Sequence, residues 1–427
     1  MTDSRLSDIA DRTAGYDPGS LEVGRAQEII RAYVKPIAGV EAASLTASLG
    51  RVLAEDIISP IDVPAHDNSA MDGYAFNGAA LRTQALELKI AGSAFAGHPY
   101  PDTVAAGECV RIMTGAVMPA GCDTVVPQEL AQLPAEGVVS IAPGLLKSGD
   151  NRRRRGEDLA SGSPALCKGK ILRPADLGLL ASLGIGEVPV QRRLRVAFFS
   201  TGDELRSIGE PLEDGCIYDS NRYTVYGMLA RLGCDVLDMG VVRDDPVSLE
   251  NALRTACENA DAIVTSGGVS AGDADYTTDV MARLGDVMFW KLAMRPGRPM
   301  AFGRIASGGK NAYLFGLPGN PVAVMVSFYF FAREALLQMM GARHEPLPQL
   351  RVASQSAVRK KPGRTEYQRG ILSLDGEGKP QVRVTGSQGS GILRSMSEAN
   401  CMIVLGHDQG NVNPGDSVDI VLFDGLC

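Results

Sequence analysis

The sequence predicts a multidomain α/β and β protein with a doubly wound α/β unit at its centre, and three observations carry that expectation. A chain of 427 residues exceeds what one hydrophobic core accommodates. Within residues 191–342, buried-type apolar runs alternate with helical patterns in βαβ fashion. On either side of that stretch lie short strand-like runs separated by Gly and Pro clusters.

From the amino terminus, MTDSRLSDIADRTAGY mixes acids, bases and hydroxyls without an apolar h-region, so residues 1–20 are expected as a flexible tail. Apolar residues then recur at helical spacing from Leu21 to Ala54, until Ser59 and Pro60 interrupt them. A second helix-like segment runs from Ala175 to Leu183. Residues 21–60 and 150–190 are therefore expected to form one discontinuous helical linker domain. Between them, residues 61–149 carry LELKIAGSAF, CVRIM, DTVVPQ and GVVSIA, which predict an inserted β-rich domain. Residues 191–342 should build a parallel sheet covered on both faces. Residues 343–427 alternate LRVAS, QVRVTG, CMIVLG and SVDIVLF with turns at DGEG and NPGD, as in a β-barrel.

Composition narrows the function. Forty-two basic residues against 50 acidic ones give a net charge of -8, which argues against nucleic acid or an anionic membrane surface as partner. The longest apolar stretch, Val322 to Ala332, is about half of what a membrane-spanning helix needs. Eight cysteines without a C-x-x-C pair point to reduced thiols and a cytoplasmic protein. The 4 histidines never stand at i, i+4 spacing, so oxygen ligands would have to hold any metal.

In doubly wound folds, ligands bind at the loops leaving the carboxyl ends of the strands. One such loop is TSGGVSAGDADY, Thr265 to Tyr276. Ser266, Gly267, Gly268 and Gly272 would let bare amides face an anion, and Asp273 and Asp275 beside a phosphate suit Mg²⁺. The same residues also suit a tight turn with a helix cap. FFSTGDEL places Thr201, Gly202, Asp203 and Glu204 at the end of the first strand, and Asp219, Asp244 and Asp245 come in later loops. So many carboxylates on one sheet edge require cations. WKLAMRPGRP supplies Lys291, Arg295 and Arg298 in a stiffened turn, fit for an oxyanion, with Trp290 read as core. GLPGNPVAV adds a glycine-rich turn at Pro318 and Gly319, then Asn320 as a helix cap before Pro321. By composition alone, the loop NRRRRGED is a solvated charge run.

DNSAMDGYA, RIMTGA with GCDTVV, RRRGED, FSTGDEL, SNRY, TSGGVSAGDADY, FWKLAMRPGRP, LFGLPGNPVA, and the late QRG and QGS occur in that order along nearly the whole chain. In this the sequence resembles the molybdopterin molybdenumtransferases, the family of the gephyrin E-domain. The resemblance implies an elongated homodimer of four-domain subunits, an active site shared between subunits, and a central domain like the molybdopterin adenylyltransferase fold. It implies that adenylylated molybdopterin and molybdate react, with Mg²⁺, to give molybdenum cofactor and AMP. Motif by motif, it assigns catalysis to Asp67, Thr114, Asp158, Glu204, Asp244, Asp275, Lys291 and Arg295, with Asp244 and Asp275 on the metal. Substrate binding falls to Thr201, Gly202, Ser266, Gly267, Gly268, Asp273, Arg298, Pro318, Gly319, Arg369 and Ser390. A molybdopterin adenylyltransferase and apo-molybdoenzymes are the implied protein partners. Arg295 and Arg298 stand where bacterial members often carry lysines, and Gly391 where a histidine often comes after QGS. The other readings are the adenylyltransferase step itself and a non-catalytic pterin-binding scaffold.

Overall fold

The computed structural model describes residues 5–269 and 275–426. Its centre is a six-stranded sheet whose first strand, β1 (Arg195–Thr201), leads into helix α1 (Ser220–Arg231). Next come β2 (Asp235–Val242), α2 (Pro246–Asn259), β3 (Ala262–Ser266), α3 (Asp275–Leu284), β4 (Gly285–Lys291), β5 (Pro299–Ser307) and β6 (Lys310–Leu317). The spatial order is β2-β1-β3-β6-β5-β4. The first four strands are parallel, whereas β5 runs antiparallel to both of its neighbours, β6 and β4, so the expected all-parallel sheet is a mixed one. The short β5–β6 connection explains this, since a tight turn can join only antiparallel neighbours.

Alternation along β1 shows why both faces are apolar. Val196 and Phe198 enter one core with Val225, Leu229 and Phe315. Ala197 and Phe199 enter the other with Leu249, Leu253 and Ile263. The first core also receives the continuous helix Pro321–Met339, which is apolar enough to resemble a membrane span but has 72% of its most apolar window buried within the protein. Trp290, 2% exposed, belongs to this core.

Residues 5–20 differ from the flexible tail expected of them. Helix Leu6–Arg12 buries Leu6 and Ala10 in the central core, and the Leu6 amide donates to Asp286 at 2.6 Å. The next helix, Val23–Tyr33, packs Val23, Ala26, Ile29, Ile30 and Tyr33 onto that same core, so it adheres to the α/β domain. The helical pattern read from Leu21 to Ala54 stops here because Pro36 drives Lys35 out of the helical region. Beyond Pro36 the chain is extended. Val40–Ser44 pairs with Glu187–Gln191, and Ile57–Ile58 with Pro164–Leu166, around a small core of Leu53, Leu172, Leu180 and Val190. The linker is therefore mainly β, with one helix at Pro174–Ser182.

Within residues 61–149, six strands form one sheet with a separate core on each face. At the carboxyl end, Thr365–Leu374 pairs with both Pro380–Val384 and Cys401–Leu405, while Leu350–Ser354 and Ser417–Leu422 complete the circuit. The result is a closed five-stranded barrel, as expected.

A free tail would tolerate truncation of any side chain in it. Leu6→Ala is instead expected to cost about 2 kcal/mol or more, because it opens a cavity in the main core. A thermal melt unchanged from wild type would contradict the packing of this helix.

Candidate active site

β1 turns toward β2 through α1, and β3 lies on its other side, so the chain reverses direction across the carboxyl ends of β1 and β3. A cavity of about 700 Å³ opens there. Thr201, Gly202 and Glu204 line it from β1, Ser266, Gly267 and Gly268 from β3, and Pro318 and Gly319 from β6. Asp244, Arg295, Arg298 and Ser390 complete the predicted residues gathered in it.

Gly267 is required by the closeness of the two strands. Its φ is +92°, and a Cβ there would stand 2.5 Å from the Thr201 carbonyl oxygen. The Thr201 hydroxyl is buried without a partner, as are one oxygen of Asp219 and the amide oxygen of Asn221. Below them Ser200 and Ser266 share a hydrogen bond of 3.1 Å, and Asn221 donates to the Gly319 carbonyl at 2.6 Å.

Charges of both signs face the same space. Arg295 and Arg298 are exposed at the cavity. Asp244 accepts a hydrogen bond of 2.5 Å from the Tyr276 hydroxyl, whose pKa burial and this carboxylate push up to about 12. Tyr276 comes directly after Asp275, the first residue of α3, so the Asp244 loop and the start of α3 are tied together. Among the described residues, no group of three or more His, Cys, Asp or Glu side chains gathers to hold a metal.

The barrel supplies the remaining wall. Met294–Arg295 pairs with Thr365–Glu366, which fixes the Arg295 backbone to a barrel strand. The Ser390 carbonyl accepts from the Val322 amide at 3.0 Å, which ties its loop to the helix after β6. Arg369 does not line the cavity. It is fully buried, and its guanidinium donates to Ser395 Oγ and to the carbonyls of Ser387, Gln388 and Gly389. Burial, and then the charge of Arg295, lower its pKa to about 10, so it remains cationic at neutral pH behind the loop that it holds.

Other predicted residues lie elsewhere. Lys291 is exposed at the end of β4 and absent from the lining; strand alternation points Trp290 into the core and Lys291 away from it. Asp273 lies outside the described residues, as does the side chain of Asp275. Asp67, Thr114 and Asp158 lie instead where the inserted sheet meets the linker, the Asp158 amide donating to the Val63 carbonyl at 3.0 Å. There Asp67 accepts from the Arg155 amide at 2.8 Å, and Thr114 donates from both its amide and its hydroxyl to Asp72. These two bonds, amide first, hold the Asp72 carboxyl below its usual range. In the same region the arginine run is partly paired, Arg153 with Glu157 and Arg155 with Asp62.

Sequence reasoning missed Asn221, Tyr276, Arg364 and Gln388 as site residues. Asn221 stands within the SNRY motif, and Asp219 two places before it carries the mark of a helix cap; those were the available signals.

Residues 21–184 match the family described as the MoeA N-terminal region (domain I and II). Residues 197–338 match a probable molybdopterin binding domain, and residues 351–423 the MoeA C-terminal region (domain IV). A molybdopterin molybdenumtransferase of Haemophilus influenzae is 42% identical over 384 residues, covering 90% of this chain and 94% of that one. One from Nostoc is 34% identical, covering 88% and 87%. The crystal structure of the molybdopterin biosynthesis moeA protein from Pyrococcus horikoshii OT3 superposes with a TM-score of 0.80 at 28% identity, over 95% of this chain and all of that one.

The tight β1–β3 contact makes a specific demand on Gly267. Gly267→Ala should lower the melting temperature, since left-handed strain of about 1–2 kcal/mol adds to a backbone clash. Unchanged melting would show that the strands can part without cost.

Proposed function

The chain belongs to the molybdopterin molybdenumtransferase family, and on that premise we propose that it inserts molybdate into adenylylated molybdopterin in the cytoplasm, releasing AMP and molybdenum cofactor. The observation that carries this reading is one cavity lined by both the turns at Gly267–Gly268 and Pro318–Gly319 and the exposed Arg295 and Arg298. Amides at such turns favour phosphate oxygens, and paired guanidinium groups favour a second oxyanion. The described cysteines are all free, in keeping with a reducing compartment.

Mg²⁺ suits this donor set, which offers oxygen and few carboxylates. Such an ion is commonly held by one or two carboxylates, with water and substrate phosphate completing its shell. Asp244 and Asp275, joined through Tyr276, are the residues that would hold it, and when bound it would offset the charge of the phosphoanhydride. Arg295 and Arg298 bind and orient molybdate so that the ligand's dithiolene sulfurs can attack molybdenum, one oxide leaving as water with the two thiol protons, while a second water cleaves the phosphoanhydride to free AMP. The Gly267–Gly268 turn holds the phosphates, and the loop with Ser390 closes the cavity on the barrel side. No proton-transfer nucleophile of the chain is needed.

Arg295→Ala removes a charge-assisted contact and should lower kcat/KM for AMP release about tenfold to hundredfold, chiefly through the molybdate dependence. Wild-type protein given adenylylated molybdopterin, molybdate and Mg²⁺ should yield cofactor that activates an apo-molybdoenzyme. Release of no AMP above background would refute the proposal.

The cavity lining spans only residues 201–390 of the chain, whereas Asp67, Thr114 and Asp158 lie on other domains. We therefore propose a homodimer in which each site borrows those residues from the second copy. Inactive Asp67→Ala and Asp275→Ala proteins, refolded together, should then regain activity as mixed dimers. A monomer by light scattering, or no recovery on mixing, would rule out the shared site.

A further inference from the structure

We infer that Asp219 and Asn221 select the heterocycle that enters the cavity, by accepting two adjacent N–H donors from its edge. The inference rests on the proposed function and names the part of the substrate that this wall recognises. Both residues are buried, 3% and 7% exposed, and both line the cavity at the start of α1. Asp219 caps that helix, with Oδ1 accepting from the Arg222 amide at 3.1 Å. Its other oxygen, Oδ2, is buried with no partner. The Arg222 guanidinium acts on Asp219 through space but gives it no hydrogen bond, because it pairs with Asp238 at 2.8 Å.

Asn221 is held in one orientation. Its Nδ2 donates to the Gly319 carbonyl, which can only accept, so the amide cannot be flipped without losing that bond. Its Oδ1 is then an acceptor, and it too is buried with no partner. Two unanswered acceptors are costly in a folded protein unless a ligand supplies donors.

A 2-amino-4-oxopyrimidine edge, such as the one in a pterin, presents a ring N–H beside an exocyclic amine. It answers both acceptors. Adenine presents one donor beside one acceptor, and a 2,4-dioxopteridine presents a ring N–H flanked by carbonyl oxygens, so each would leave one acceptor unpaired and bring lone pairs together. The exposed guanidinium groups of Arg295 and Arg298 line the same cavity, which leaves the anionic part of the ligand to them.

The test uses the full chain and two fluorescent probes, a 2-amino-4-oxopteridine and its 2,4-dioxo counterpart, in equilibrium titrations. Wild-type protein should bind the amino compound at least about tenfold more tightly. Asp219→Asn keeps the capping oxygen but turns an NH₂ toward the ligand, so it should erase that preference while the melting temperature and molybdate binding stay near wild type. If Asp219→Asn melts early, Asp219→Ser, which also caps but lacks the second oxygen, should lose the preference in the same way. Equal wild-type affinities, no binding of either probe, or full discrimination retained in a folded variant would each overturn the inference. Protein that discriminates between the probes yet releases no AMP would sink the insertase reading and leave this one standing.

Discussion

The close approach of β1 and β3 at their carboxyl ends governs the rest of the site. Parallel strands are in register from Val196 opposite Ala262 to Ser200 opposite Ser266, and the chain then leaves in two directions. Gly267 permits this by bringing its backbone against Thr201, where any side chain would collide. A crevice results whose walls are main-chain turns, and main-chain amides bind anions without adding net charge. In the proposed reading, the acids of the same rim would then face an anionic ligand without forcing the site to hold uncompensated basic residues.

Positive charge enters from the other side, on segments fixed by the barrel. Arg295 sits in a two-residue strand paired to Thr365–Glu366, and Phe330 of the core helix stacks on barrel Tyr367 with ring centroids 4.0 Å apart. Barrel residues Met402 and Val421 share the central core with that helix. Arg369 belongs to this scaffold. It holds the Ser387–Gly389 carbonyls and so fixes the wall that carries Gln388 and Ser390. A buried guanidinium satisfied by carbonyls keeps its full charge, so it also adds a positive field behind that wall.

Much of this was legible in the chain. The βαβ alternation, the barrel and the loops at Thr201, Gly267 and Gly319 all arise from apolar spacing and from glycines at strand ends. The failures have particular causes. Leu6 and Ala10 occupy too short a segment for periodicity to distinguish a docked helix from a polar tail. The stretch after Pro36 keeps apolar residues at helical spacing, yet pairing of Val40–Ser44 with Glu187–Gln191 overrides it, and a partner so distant in sequence leaves no local mark. Lys291 was grouped with Arg295 and Arg298 by nearness in sequence, whereas strand alternation separates them. Asn221 went unnoticed because an asparagine in the first turn of a helix has a sufficient local explanation; its value lies in which atom Gly319 leaves unpaired.

The core pattern also separates what is fixed from what must be brought. The α/β domain, the amino-terminal helices and barrel residues Tyr367, Met402 and Val421 share one continuous core, so the cavity and its basic wall form a single packed unit. The inserted sheet has two cores of its own and the linker a third, although Val52 of the linker packs into the central core. Asp67 and Thr114 therefore take their positions from the linker strands and the extended pairing at Arg152–Arg153 with Asn68–Ser69. In the proposed shared site, Arg295 and Arg298 would stay on the packed unit while the second copy supplies the remaining polar residues. Such a division arises from packing alone, before any chemistry is assigned to it.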